Sequence, residues 1–148
     1  MIQLGKPIQD ISITKESSLE KIFEQMSKSG GFESRNLADG LDVLTVMIKD
    51  NDCLKFLSFV GAIISTGLRG IIKDMIKNKW FNTVITTCGA LDHDIARHFS
   101  NYNEGSFTLD DVTLAEKNIH RLGNVLVPMD SYGPLIEEKM QSFLEEEY

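Results

Sequence analysis

Two apolar runs with a helix-periodic segment between them limit most tightly what this chain can fold into. Cys53 to Val60 and Thr83 to Thr87 read as strands, the second rich in β-branched residues, as a strand buried on both faces should be. Between them, Leu68, Ile71, Ile72, Met75 and Ile76 recur at helical spacing and predict a buried helix face. Strand, helix and strand in roughly 35 residues form a βαβ unit, whose strands should be parallel and whose crossover should be right-handed. Open α/β sheets bind ligands at the carboxyl ends of their strands. Here those ends lead into Gly61-Ala62-Ile63-Ile64-Ser65-Thr66-Gly67 and Cys88-Gly89-Ala90-Leu91-Asp92-His93-Asp94. Gly89 and Ala90 let the backbone turn sharply and let a ligand come close. Asp92 and Asp94 fall in the first turn of the next helix, where the dipole favours negative charge by roughly 0.3–1 kcal/mol each.

The flanking segments complete one α/β domain over residues 1–148, with an open, mostly parallel sheet. Residues 1–16 read as an extended arm, with Ile11 to Thr14 as a short strand or a segment lying on a surface. Ser17-Ser18-Leu19-Glu20 matches a capping box, and Leu19, Ile22, Phe23 and Met26 carry a helix to about Ser27. Gly30-Gly31 ends it. A second helix over Ser34 to Lys49 has the apolar stripe Leu37, Leu41, Leu44 and Ile48, weakened at Gly40 by ~1 kcal/mol relative to alanine. After the Asp94 region, Ile95, Ala96 and Phe99 continue a helix, Ser100 to Gly105 is a polar loop, and Asp110, Asp111, Leu114 and Ala115 suggest a short helical turn. Arg121-Leu122-Gly123-Asn124 leads to Val125-Leu126-Val127, a third strand stopped by Pro128. A last helix, capped by Ser131 with Pro134 in its first turn, should bury Leu135, Ile136, Met140, Phe143 and Leu144.

Composition narrows the function classes. A net charge of −7 argues against nonspecific nucleic-acid binding, which needs basic surface. It suits a cationic ligand or a basic partner, although much of the excess is the glutamate cluster Glu137, Glu138 and Glu145 to Glu147. No apolar run reaches the roughly 20 residues needed to span a bilayer, and Met1 to Pro7 lacks the apolar core of a signal peptide. Two cysteines, Cys53 and Cys88, are no disulfide framework, and the expected location is the cytoplasm.

Each motif has a plain reading beside the chemical one. Gly61 to Gly67 lacks the GxGxxG spacing; it serves either tight strand–helix packing or, through Ser65 and Thr66 at a helix start, a phosphate. His93 between Asp92 and Asp94 looks like an HD metal pair, but His98 points to another helix face and only His120 remains, so no metal is expected. Cys88 at a helix N-terminus has the setting of an activated thiol. No histidine is placed to serve it, and a small packing residue is the better reading.

Three segments in order resemble one family. Leu57-Ser58-Phe59-Val60-Gly61-Ala62-Ile63-Ile64-Ser65-Thr66-Gly67-Leu68-Arg69, Thr86-Thr87-Cys88-Gly89-Ala90-Leu91-Asp92-His93-Asp94, and His120 to Pro128 with Tyr132 beyond are similar to deoxyhypusine synthases, the first two to the archaeal and bacterial branch. The likeness extends from about Asn36 to Leu144. It implies a Rossmann-like NAD-binding fold and NAD-dependent transfer of the aminobutyl group of spermidine, by way of an enzyme lysine, to a lysine of a translation factor precursor.

By that resemblance Gly61, Ala62, Ile63, Ile64, Ser65, Thr87, Cys88 and Gly89 hold positions that contact NAD, and Asp92 and His93 hold positions near the polyamine. Ala62 and His93 depart from the eukaryotic pattern, which has an asparagine and a glutamate there, so the amine specificity stays open. The family's nucleophilic lysine lies in a glycine-rich segment that nothing here resembles, and no catalytic residue is expected in this chain. That predicts a fragment from the amino-terminal half, one half of a split enzyme with a separate carboxyl-terminal chain, or a shortened relative. The resemblance also implies an oligomer, a tetramer in the family. Two other functions fit these residues: a homospermidine-forming or other polyamine aminobutyltransferase, and a noncatalytic subunit of an active paralogue.

Overall fold

The computed structural model describes residues 4–147. The first three residues of the expected arm, and Tyr148, lie outside the described residues. The chain divides into two compact units, Met1–Leu54 and Lys55–Tyr148.

The first unit is a helical hairpin with the arm laid on it. α1 (Leu19–Lys28) and α2 (Phe32–Lys49) pack together. Ser18 caps α1 by accepting from the Lys21 N–H at 3.3 Å. The box spacing pointed to Ser17, whose hydroxyl instead accepts from the Thr14 N–H at 2.9 Å. The arm forms no strand. It lies along α1, with the Gln9 N–H donating to Lys28 O and the Ser12 N–H to Gln25 Oε1. Gly30 makes the turn between the helices at φ +63°, and Ile8 sits where a Cβ at Gly30 would be. α2 starts two residues before the expected Ser34. Leu37, Leu41 and Leu44 of its apolar stripe are exposed, and the buried residue of α2 is Ala38.

The second unit is α/β, and it carries the candidate site. β1 (Phe56–Phe59) is followed by a 3₁₀ turn (Gly61–Ser65), α3 (Leu68–Lys77) and β2 (Thr83–Thr86). β1 and β2 pair in parallel, Phe56 opposite Thr83 and Phe59 opposite Thr86, as the βαβ reading required. α4 (Gly89–Phe99) follows β2 directly. β3 (Asn103–Glu104), α5 (Asp111–Glu116), β4 (Ile119–Leu122) and β5 (Val125–Pro128) come next. A short 3₁₀ turn, Met129–Ser131, then leads into α6 (Gly133–Glu147).

Two expectations about this unit are corrected. Val125 to Val127 does not join β1 and β2 as a third strand of an open, mostly parallel Rossmann-like sheet. It forms an antiparallel sheet of its own, in the order β3-β5-β4. The cause is local: Gly123-Asn124 is a two-residue hairpin turn, with Gly123 at φ +63°, and such a turn sends the chain straight back beside β4. The second correction concerns burial. Ile85 in β2 is 55% exposed, and Leu68, Ile71 and Ile76 on α3 are about as open. Periodicity showed which face of each element is apolar, but two strands alone cannot cover both faces of a parallel pair. Met140, Phe143 and Leu144 of α6 are also exposed.

Candidate functional site

The parallel register puts the carboxyl ends of β1 and β2 side by side, so the chain leaves both strands at one corner. Three interactions shape that corner. The Thr86 hydroxyl donates to Phe59 O at 2.8 Å across the strand ends. The Gly61 N–H donates to Thr87 Oγ1 at 2.9 Å. Arg97, from the far end of α4, donates through Nη1 to Ile64 O at 2.8 Å and Thr66 O at 2.6 Å, pinning the end of the 3₁₀ turn.

Gly61 is required here by packing. A Cβ on it would collide with the Ala90 amide nitrogen and lie 2.7 Å from both the Gly89 carbonyl carbon and Thr87 Oγ1. The small residues at this corner therefore let the 3₁₀ turn press onto the start of α4. Gly89 is different: a Cβ there would meet nothing nearer than His93 Cδ2 at 3.9 Å, so its outer side is open.

All eight residues expected to face a cofactor come to this corner, with unequal access. Gly61, Ile64 and Ser65 are buried, Ile63 and Gly89 half-buried, and Ala62, Thr87 and Cys88 exposed. The Ser65 hydroxyl is used internally, donating to Ala62 O at 2.7 Å. What remains for a ligand is backbone: the open surface over Ala62, Thr87 and Cys88, and the Gly89 N–H, which as the first of a helix has no intrahelical acceptor. An anion is favoured at such a helix start. The Arg97 guanidinium beside this corner is turned to carbonyls, and that of Arg69 to Asp94.

Asp92 and His93 stand on the first two turns of α4, both half-buried. Two tyrosines hold them. Tyr102, from the loop after α4, has its hydroxyl 2.9 Å from His93 Nδ1, with the two rings edge to face at 5.7 Å. Tyr132, at the entry to α6, donates to Asp92 Oδ2 at 3.4 Å and lies against the His93 ring at 5.3 Å. Tyr132 is kept there from the other end: the Ser100 hydroxyl, at the close of α4, donates to the buried Ser131 at 2.8 Å. Asp94 does not join this group. It pairs with Arg69 of α3 at 2.7 Å, an exposed ion pair that ties α3 to α4.

The electrostatics follow from this packing. Burial lowers the His93 pKa, with Arg97 acting the same way and the Asp92 carboxylate opposing. Burial is also the main reason Tyr102 is pushed up to about 12, and it raises Tyr132, with the Asp92 charge second. At neutral pH the group is therefore one carboxylate, one uncharged imidazole and two intact phenols. Its chemistry is hydrogen bonding to a polar or cationic ligand around a single negative charge. Among the described residues no three His, Cys, Asp or Glu side chains are grouped as metal ligands would be.

Sequence reasoning missed Tyr102 and Arg97. Tyr102 is a lone aromatic in a polar loop, with nothing local to mark it. Arg97 lies four residues after His93, on the same face of α4, and that spacing was the available signal.

Comparison with known proteins follows the same segments. The deoxyhypusine synthase family model matches residues 21–148. The probable deoxyhypusine synthase of Thermoplasma volcanium is 50% identical over 145 residues, those of Thermoplasma acidophilum and Picrophilus torridus 46% and 43%. Each alignment covers 98% of this chain and 46% of the relative, so the chain spans about half the length of the curated relatives it matches. A solved Entamoeba histolytica structure assigned to the same enzyme covers 74% of this chain and 44% of its own at 20% identity, with a TM-score of 0.48. Among the described residues no helix is long and apolar enough to cross a membrane.

Proposed function

The chain belongs to the deoxyhypusine synthase family, and from that premise we propose that it supplies the cofactor and amine positions for NAD-dependent transfer of the aminobutyl group of spermidine to a lysine of a translation factor precursor. The observation that carries the reading is the placing of Asp92 and His93. They stand at the carboxyl ends of a parallel strand pair, beside the open Gly89, in a chain whose charge is −7.

In this reading NAD lies over Ala62, Thr87, Cys88 and Gly89, with Gly61, Ile63, Ile64 and Ser65 forming the floor that holds them. Bound there, it would supply the hydride acceptor. The chain's own residues bind and orient the amine. Asp92 takes a charged nitrogen, and Tyr132 and Tyr102 hold the two ligand-facing side chains still. The lysine that carries the aminobutyl group lies outside these 148 residues. The β1–β2 pair is then part of a larger, Rossmann-like sheet, and further strands would cover Phe56 and Ile85, both 55% exposed here. The assembly is a cytoplasmic oligomer.

The test uses spermidine labelled in its aminobutyl group. The natively purified assembly, with NAD, should move label onto the lysine of the precursor protein, and this chain alone should move none. Label appearing on putrescine, with none on protein, would replace this reading by a homospermidine-forming one. Failure of the assembly to transfer to either acceptor would leave the chain as a noncatalytic subunit.

A further inference from the structure

We propose that Tyr102 is a positioning residue: its hydroxyl donates to His93 Nδ1 and fixes the ring as the Nε2–H tautomer, so that His93 meets a ligand as a hydrogen-bond donor beside the acceptor Asp92. The identity of the ligand as a polyamine rests on the proposed function. The assignment of Tyr102 does not.

The geometry is specific. The Tyr102 oxygen is 2.9 Å from Nδ1, and the His93 nitrogen is the one protein partner of that hydroxyl among the described residues. A phenol that accepted from an Nδ1–H would keep its own proton with no protein acceptor in reach. A phenol that donates pairs its proton with the ring's lone pair, the stronger arrangement for an intact Tyr O–H. The hydroxyl stays intact across the working range, because burial holds it protonated to about 12. The ring cannot swing away freely. Tyr102 stands edge-on to it and Tyr132 lies against it at a 32° tilt. Asp92 and Arg97 on α4, Tyr102 from the following loop and Tyr132 before α6 are the titratable and charged groups that act on or touch the imidazole.

The other ring nitrogen is the one left for chemistry. Among the described residues His93 Nε2 has no protein partner and no buried side-chain nitrogen or oxygen lacks one, so Nε2 reaches solvent. A neutral imidazole whose Nδ1 accepts must carry its proton on Nε2. His93 then cannot accept from an ammonium, as a free imidazole would. The pair divides the ligand instead: Asp92 suits a protonated nitrogen, and His93 Nε2–H suits an uncharged nitrogen or an oxygen. In a polyamine this favours the form in which the nitrogen beside His93 has lost its proton.

The experiment is two-bond ¹H–¹⁵N correlation of the histidine side chains in the natively purified protein, with His93 assigned by His93→Gln. The expected pattern is Nε2–H, with Nδ1 shifted as an acceptor. Tyr102→Phe keeps the ring and its packing. It should relax the preference by roughly fivefold, the worth of one neutral hydrogen bond, while amide spectra show the fold retained. An Nδ1–H pattern in the natural protein, or an Nε2–H pattern unchanged in Tyr102→Phe, overturns the assignment. Spermidine titration separates the two readings. Movement of the His93 Nε2–H resonance places the amine beside it. A still resonance in a protein with the expected tautomer overturns the amine reading and leaves the Tyr102 assignment standing.

Discussion

Gly61→Ala should destabilise the Lys55–Tyr148 unit by about 1–3 kcal/mol, the usual cost of forcing a methyl group into packed structure. The added carbon has no soft neighbour to push aside. It meets backbone atoms, the Ala90 nitrogen and the Gly89 carbonyl carbon, as well as the Thr87 hydroxyl that receives the Gly61 N–H. Relief requires the 3₁₀ turn to lift off α4, which also moves Ala62 and Ile63 away from Gly89. Gly40→Ala is the control. Gly40 sits inside α2 with nothing within 4 Å of the added carbon. Alanine there should stabilise by about 0.5–1 kcal/mol through helix propensity. Urea unfolding of the three proteins reads both effects; equal midpoints for Gly61→Ala and the natural chain would refute the packing.

Arg97→Met should cost about 2–4 kcal/mol in the same assay, because two hydrogen bonds from a charged donor are lost and two carbonyls are left without it. Methionine keeps most of the apolar stem, so the loss reports the guanidinium. Ile64 is 4% exposed, which makes its orphaned carbonyl expensive. The end of the 3₁₀ turn then loses its clamp, and the amides of residues 61–66 should exchange faster than those of β4 and β5. Arg97 also stands 6.0 Å from the Tyr102 ring centre, so the His93 environment should shift with it. An unchanged unfolding midpoint would mean that the clamp contributes nothing.

Patterns within one element were legible in the sequence; what those elements meet was not. The parallel pairing of β1 and β2 followed from strand–helix–strand spacing, and the resemblance carried by residues 57–69, 86–94 and 120–128 agrees with the family match over residues 21–148. The antiparallel sheet was equally local, because Gly123-Asn124 between two short β runs is a hairpin signal. Reading Arg121 to Asn124 only as a lead-in to a strand hid it. Apolar spacing identified Leu68, Ile71 and Ile76 as one face of α3 but said nothing of whether anything covers that face. The candidate site shows the same limit. Asp92 and His93 stood out because they follow a strand and a turn. Tyr102 reaches the site through loop geometry, which no short window of sequence records, and Arg97 was marked only by its place four residues after His93.

The most direct test of the account is spermidine-dependent reduction of NAD by the natively purified assembly, followed by the absorbance of the reduced nicotinamide. The account predicts reduction that needs spermidine, is seen with the assembly and not with these 148 residues alone, and is lost in Asp92→Asn. No reduction by an assembly that contains a glycine-flanked lysine, or reduction untouched by Asp92→Asn, would contradict it.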